Sequence, residues 1–383
     1  MGKYLVKLKP VESFFFGGER GFDFYENDTK AKNNIVKSKE FPQQSSILGM
    51  IRKEILVLNG LLNEKWDYPP HEKEKMEQLI GKKSFNITNP TDDFGIIKTI
   101  SPVFMVQETQ SNDRFLIKIP KDHNQNKDSE KYDPLNFNDS KGSYLKVKTN
   151  LSKEVYLPVN FDSKKGLSED FLDIETGEIL AQDKVLIKDS SIGIKLDDNH
   201  KTQNYSLFRL ERYKFNYDKN YEKSNKCFGF ILDIDEKDQP ITFNNYKNIV
   251  NLGGESSYFS MSFENINFDL KDKVDFENKK NILNEPYCKI ILLSDTYISK
   301  DAYEQNCIYS ISKKIDFRTL SSENYNSNKE KGKPYYKRFE KSKNRYSLLE
   351  KGSVLFTNKD RYHELIESIN NSNFQKIGYN IFI

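Results

Sequence analysis

The chain opens with a strand, a glycine-broken aromatic loop and a helix, and this opening from Tyr4 to Leu58 constrains the fold more than any later segment. Tyr4, Val6 and Leu8 alternate with Leu5 and lysines, the period-two pattern of a strand. Ile47, Leu48, Ile51, Ile55 and Leu58 then cover one face of a helix that the spacing predicts from about Ser45 to Leu58. Ser45, Gly49 and Arg52 lie along a flank of the same helix, at helical neighbour spacings. A glycine inside a helix costs about 1 kcal/mol relative to alanine. Gly49 therefore marks either packing against a neighbouring strand or the close approach of another backbone. Ser45 or Ser46 is placed to cap the helix start, which would leave free amides and a positive dipole end for a phosphate. Arg52 is either a fixed charge beside them or a solvated side chain. Between strand and helix, the run from Phe14 to Phe22 sets Gly17, Gly18 and Gly21 among Phe14, Phe15, Phe16 and Phe22. Such a backbone bends sharply beside flat faces suited to stacking. No Lys-Ser or Lys-Thr follows, so it is not a Walker-type phosphate loop.

The C-terminal part repeats the strand–helix theme. Phe228, Phe230, Leu232 and Ile234 alternate as a strand; Phe243, Tyr246, Ile249 and Val250 follow helical spacing and stop at Gly253-Gly254. Phe259, Met261 and Phe263 give a second strand, and Ile290 to Leu293 a third, buried on both faces. Tyr362, Leu365, Ile366 and Ile369 predict another helix, and Phe374 to Ile383 a closing strand. The order is β-α-β-β-α-β, the ferredoxin-like pattern. Tyr205 to Phe215 reads as a further strand. The expected fold class is α+β: two ferredoxin-like (RRM-like) domains with long insertions. The first spans residues 1–200, with a mobile insertion around 121–141. The second spans 201–383, with an insertion around 295–350 that includes a polar loop from Ser322 to Arg345. A chain of 383 residues suits two domains and buries a core without staples.

Charge narrows the chemistry. Charged residues make up 31% of the chain, yet the formal net charge is only +3, so any basic function rests on local patches. Cys227, Cys288 and Cys307 fit neither a disulfide framework nor a zinc cluster. His71, His123, His200 and His363 show no metal-ligand spacing, and no nucleophile elbow, kinase set or paired-aspartate site is present. The expectation is a chain with no catalytic residues, no metal and no cofactor. Residues 1–6 show neither an apolar signal core nor a Ser or Thr at position 6, and no stretch has membrane-span length. The expected location is the cytoplasm.

Pro10 to Gly17, followed by Phe41-Pro42-Gln43-Gln44-Ser45-Ser46-Ile47-Leu48-Gly49-Met50-Ile51-Arg52, resembles the opening of the third-subunit family of the Cmr complex, part of the RAMP superfamily of type III-B CRISPR effectors. Ser191 to Asp197 with Tyr205 to Arg209, the Leu252-Gly253-Gly254-Glu255 turn, Gly352-Ser353-Val354 and Ile377-Gly378-Tyr379 are similar to further segments of that family, in its order. Lys314-Ile315-Asp316-Phe317 stands where the family often carries a Gly-Trp-Asp-like stretch.

The resemblance implies a non-catalytic subunit in antiviral defence. It would bind the 5′ handle of CRISPR RNA, dock the large polymerase-like subunit and contact the backbone RAMP subunit, with no membrane and no small-molecule substrate. The RNA contacts expected on this reading are Phe16, Gly17, Arg20, Gln43, Gln44, Ser45, Ser46, Gly49, Arg52, Lys195, Lys201, Gly253, Gly254, Glu255 and Ser256. Lys337 and Arg338 join them from a basic, aromatic tract running from Lys331 to Arg345, a composition that suits single strands and also a solvated loop. Lys226 to Leu232 is similar to an RRM signature, but Cys227 replaces its glycine, and ordinary sheet packing is expected there. Two alternatives stay open. One is a metal-independent RAMP endoribonuclease using His200, Lys201 and Tyr205; the other is the equivalent subunit of a type III-A or III-D complex.

Overall fold

The period-two pattern at the start becomes β1 (Gly2–Pro10). β2 (Phe16–Asp23) and β3 (Asn33–Lys39) pair antiparallel, and α1 (Gln44–Leu58) and α2 (Pro70–Ile80) follow. Next come β4 (Ile97–Ile100), β5 (Phe104–Glu108) and β6 (Arg114–Lys118). β7 (His123–Gln125) pairs with β8 (Tyr132–Pro134), and β9 (Leu145–Lys148) with β10 (Glu154–Leu157). β11 (Phe171–Asp173), β12 (Ile179–Leu180) and α3 (Gln182–Val185) lead into a long hairpin of β13 (Leu186–Leu196) and β14 (Thr202–Phe215). β15 (Asn225–Ile234), β16 (Lys247–Asn251), β17 (Tyr258–Asn265) and α4 (Leu270–Lys273) come next. The remainder holds β18 (Cys288–Ile291), α5 (Lys300–Asn306), β19 (Tyr309–Ile311) and β20 (Lys314–Phe317). β21 (Leu320–Ser321), β22 (Glu340–Lys341), β23 (Tyr346–Leu349), β24 (Val354–Thr357), α6 (Tyr362–Ile369) and α7 (Ser372–Gln375) complete the chain. This computed structural model describes all residues except 1, 24–32, 64–67, 83, 88–92, 110–111, 126–131, 139–141, 149–153, 160–163, 165, 198, 218–224, 237–242, 244–245, 275–285, 319, 322–339 and 342–344.

The fold is mixed α+β. Its main sheet has nine strands in the order β12-β11-β6-β5-β15-β1-β17-β16, with β4 also on β15, and its pairings are antiparallel. β1 sits between β15 and β17: Val6 lies opposite both Phe230 and Phe263. The alternation of β1 divides its side chains between two layers. Tyr4, Val6 and Leu8 enter a core with Ile47, Ile51 and Ile55 of α1, while Leu5 faces Phe104, Phe115 and Leu293 on the other side. Ile47, Ile51 and Ile55 are each 0% exposed, and burying such side chains contributes roughly 1.5–3 kcal/mol apiece. A second sheet, β13-β14-β3-β2, joins β14 to β3 in parallel. α6 packs Leu365 and Ile369 on the smaller sheet β18-β24-β19. Among the described residues no helix is long and apolar enough to cross a membrane.

Several expectations are corrected. Residues Lys247–Asn251 form β16 rather than part of a helix, because pairing with β17 satisfies their backbone. Gly253-Gly254 is therefore the turn of a β16–β17 hairpin and not a helix stop. Phe374 to Ile383 is not one strand: Ser372–Gln375 is helical, Asn380 takes φ +54°, and only the last three residues pair, with backbone hydrogen bonds joining Ile381 to Leu293 and Ile383 to Ile291 around a bridge between Phe382 and Leu292. The 121–141 region is not wholly mobile. Lys121 and Asp122 are 2% and 1% exposed, and His123–Gln125 pairs with Tyr132–Pro134.

Candidate nucleic-acid interface

Phe14, Phe15 and Phe16 are 1%, 7% and 3% exposed. Phe14 and Phe16 sit in an aromatic cluster with Phe228 and Phe259, so these rings present no stacking face. What it does is seat the hairpin turn that follows β16. The Gly254 amide donates to Phe15 O at 2.9 Å, and the Phe15 amide donates to Ser257 Oγ at 2.9 Å. Gly253, at φ +97°, lies so close to the Phe15 carbonyl that a Cβ would overlap it. Glu255 and Ser256 follow at φ +53° and +55°, a conformation that costs non-glycine residues roughly 1–3 kcal/mol each. Gly253, Glu255 and Ser256 are exposed, and among the described residues their amides have no acceptor. Free amides at such a turn are available to an anion.

The start of α1 differs from the expectation. Gln43 is its N-cap residue and no side chain caps it; Ser45 and Ser46 lie inside the helix. The C-terminal segment closes that end instead. Gln44 Nε2 donates to Ser101 O at 2.8 Å and to Gly378 O at 3.1 Å, and the Ser45 amide donates to Tyr379 Oη at 3.4 Å. Tyr379 is buried, which drives its hydroxyl pKa up. Two segments singled out in the sequence, Pro42 to Arg52 and Ile377 to Tyr379, are thus one structural unit.

Further along α1, Ser46, Gly49 and Lys53 form the exposed line, and no heavy atom lies within 4 Å of a Cβ built on Gly49. Gly49 does not pack against a strand; its face is open. Arg52 turns away from that line. Its Nη2 donates to Asp93 O at 3.3 Å, its guanidinium lies 5.6 Å from the centre of the Phe94 ring, and burial pulls its pKa down to about 10. Lys53, four residues from Gly49, is the cation on the open line. The i, i+4 spacing of Gly49 and Lys53 is present in the sequence.

The remaining candidates are scattered. Gly17 is exposed on β2, and Arg20 pairs with Val36 there. Lys195 lies at the register shift between Ile194 and Leu196, and Lys201 is exposed at the tip of the β13–β14 hairpin. His200 is exposed at the same tip at φ +59°, and Tyr205 lies further along β14. Lys337 and Arg338 lie outside the described residues.

Sequence reasoning missed a buried ionic network under the second sheet. Lys118 pairs with Glu40 at 2.5 Å beneath the Phe171 ring, and Lys121 pairs with Glu350 at 3.0 Å and Glu169 at 3.6 Å. Burial alone would raise the Glu169 pKa; Lys121, Lys118 and Lys313 outweigh it and hold it below the usual range. Lys351 donates to Val103 O at 3.1 Å and lies 3.8 Å from the centre of the Phe41 ring, where burial lowers it to about 8. The contributors come from residues 40, 118, 121, 169, 313, 350 and 351, so no local pattern announces them.

A family model described as CRISPR-associated protein (Cas_Cmr3) matches residues 6–383. Among solved structures, the chain is similar to one in the cryo-EM structure of the type III-B Cmr-beta bound to cognate target RNA. That likeness has 14% identity and TM-score 0.49, covering 100% of this chain and 96% of that one. A second, from the same assembly bound to cognate target RNA and AMPPnP, state 1, has 15% identity and TM-score 0.45, with 100% and 96% covered. No curated protein matches the sequence.

Proposed function

Because the chain belongs to the Cas_Cmr3 family of CRISPR-associated proteins, we propose that it is a non-catalytic, cytoplasmic subunit of a type III-B effector that binds the 5′ handle of crRNA. On this reading it docks the large polymerase-like subunit and contacts the backbone RAMP subunit in antiviral defence. The observation that carries the RNA assignment is the Gly253–Ser256 turn. Glu255 and Ser256 take the positive φ that a hairpin turn usually gives to glycine or asparagine, and with Gly253 they leave three amides of exposed residues without an acceptor among the described residues, which are available to an anion. The open face at Ser46, Gly49 and Lys53 is a second place where a sugar-phosphate backbone can come close. Two ferredoxin-like units meeting near residue 200 remain our proposal for the finer fold. β1 lies between β15 and β17, so the two units would share one sheet.

The test is handle binding by the assembled complex. A Gly253→Ala/Gly254→Ala double variant should weaken binding of labelled handle RNA about tenfold, since the turn cannot keep its φ. Glu255→Gly relieves a positive φ and removes a carboxylate, so it should bind at least as tightly as the parent. A folded double variant that binds and assembles normally refutes the assignment. Incubation with repeat RNA checks the non-catalytic part: specific cuts lost in His200→Ala would overturn it.

A further inference from the structure

One corner of the main sheet is open to solvent. The face that carries Leu5 is packed in its middle by Phe104, Phe115 and Leu293. Towards the end of β1 that cover stops. Register sets Lys9 of β1, Ser260 of β17 and Ile249 of β16 in one rung, and Tyr258 and Asn251 in the next. Val11 joins the second rung, its amide donating to Tyr258 O at 3.0 Å. All six side chains are exposed: Tyr258 by 51%, Val11 by 59% and Ile249 by 66%. Lys247, on the other side of the Ile249 rung, is exposed on the same face.

A second tyrosine reaches this corner. Cys227 of β15 lies in the layer of Leu5, and its thiol is within electrostatic reach of Lys7 and Lys9. Tyr217, which follows β14 and is 46% exposed, comes within reach of the same thiol. The chain has 27 phenylalanines and 22 tyrosines, yet among the described side chains Tyr217 and Tyr258 are the only exposed aromatic rings. Exposed apolar groups gathered on one surface mark an interaction site.

The charges choose the partner. The carboxylates of this face are engaged: Lys7 holds Glu108 at 3.3 Å, Asp113 at 2.6 Å and Glu264 at 2.8 Å. Lys9 and Lys247 have no hydrogen bond or ion pair among the described residues. Free cations beside flat rings suit a single nucleic-acid strand, whose phosphates meet the one and whose bases stack on the other. The hairpin turn at Gly253–Ser256, with its free amides, leads directly into Tyr258 and continues the same path.

We propose that single-stranded RNA crosses this open corner, with bases stacked on Tyr217 and Tyr258 and phosphates held by Lys9 and Lys247. The identity of the strand as RNA rests on the proposed function above. The stacking role that composition suggested for Phe14 to Phe16 thus falls to two tyrosines distant in sequence.

The experiment measures binding of the purified full chain to a short fluorescent single-stranded RNA over a range of salt. A Tyr217→Leu/Tyr258→Leu variant should lose about tenfold or more in affinity, since each stacked base contributes about that much, with the salt slope unchanged. Tyr217→Phe/Tyr258→Phe keeps both rings and should bind within about twofold of the parent. Lys9→Gln/Lys247→Gln should lower the salt slope by up to about 1.4, at about 0.7 for each phosphate, relative to an exposed Lys300→Gln/Lys359→Gln control. Urea midpoints check that each variant is folded, and single tyrosine variants serve if the double one is not. Leucine variants that bind as the parent does overturn the stacking face while the RNA reading stands. Phenylalanine variants that lose as much as the leucine ones overturn stacking, because the rings are then not the cause. Leucine variants that bind RNA normally but no longer assemble with the other subunits make this corner a protein dock and overturn the proposal. A parent chain that binds no single strand overturns the proposal and the RNA reading together.

Discussion

Phe16→Ala separates two roles that a Phe-Gly loop in an RNA-binding chain can have. The ring is 3% exposed. It lies 5.0 Å from Phe14, 5.5 Å from Phe228 and 5.9 Å from Phe259, the last at an interplanar angle of 10°. Truncating a buried phenylalanine costs about 3–5 kcal/mol, because transfer free energy and packing are both lost. Against a total stability of roughly 5–15 kcal/mol, that is a large fraction. Urea unfolding of the full chain should show a clear fall in midpoint with little change in slope. RNA affinity, measured at low urea where both proteins are folded, should change little. A variant that keeps its midpoint within the equivalent of about 0.5 kcal/mol and loses RNA binding would refute the reasoning, because the ring would then be a stacking platform.

Other perturbations test separate points. Gly49→Ala should stabilise the chain by up to about 1 kcal/mol, since the helix interior there is open; a matching loss of RNA affinity would reveal a backbone approaching that face, and a lower urea midpoint would show that the space is not free. Gly378→Ala should cost about 2 kcal/mol or more, because φ is +86° and a Cβ would overlap the Gln44 amide and the Ser101 carbonyl; an unchanged midpoint would mean the C-terminal segment does not hold α1. For Asp122, burial favours the neutral acid, but His123 and Lys289 outweigh it and hold the pKa at about 2, below the free value of about 3.9. A depressed acid contributes stability above pH 4 that is lost as pH falls towards 2, so Asp122→Asn should cost about 2 kcal/mol at neutral pH and flatten that acid limb, and a limb of unchanged slope in unfolding curves would count against it. Lys351 is a base lowered by burial to about 8 from about 10.4, so its charge destabilises the fold at pH 7 and that cost fades between pH 8 and 10.4. Lys351→Met should accordingly gain up to about 3 kcal/mol at pH 7 and almost nothing at pH 10.5, and equal gains at both pH values would show that ionisation is not the cause.

The parts that were legible in the sequence are those whose partners are implied by spacing alone. The alternation of Tyr4, Val6 and Leu8 and the helical face of Ile47, Ile51 and Ile55 became β1 and α1 because each buries against a continuous core. Phe243, Tyr246, Ile249 and Val250 fit a helix equally well on paper. The backbone of Lys247–Asn251 instead pairs with β17, and a short apolar run cannot announce that choice. The same limit applies to the site. Phe14 to Phe16 had the composition of a stacking loop, and only Phe215, Phe228 and Phe259, hundreds of positions away, show that it is core. Arg52 stood at the correct helical spacing for an interface, yet Asp93 and Phe94 claim it. The glycines at 253 and 254 were legible as the end of an element, though as a helix stop and not as a turn between strands.

The placement of β1 also sets a timetable. Its two sheet neighbours, β15 and β17, begin at residues 225 and 258, so both of its edges stay open while more than two hundred residues are added. At about 5–20 residues per second, that wait is roughly 10–40 s, a long exposure for a strand with apolar side chains. Lys3, Lys7 and Lys9 interrupt the strand throughout. In the finished fold Lys7 is buried and held by Asp113 at 2.6 Å and Glu264 at 2.8 Å, an awkward residue for a core. On a strand left unpaired during synthesis, charges so placed disfavour pairing of one chain with another.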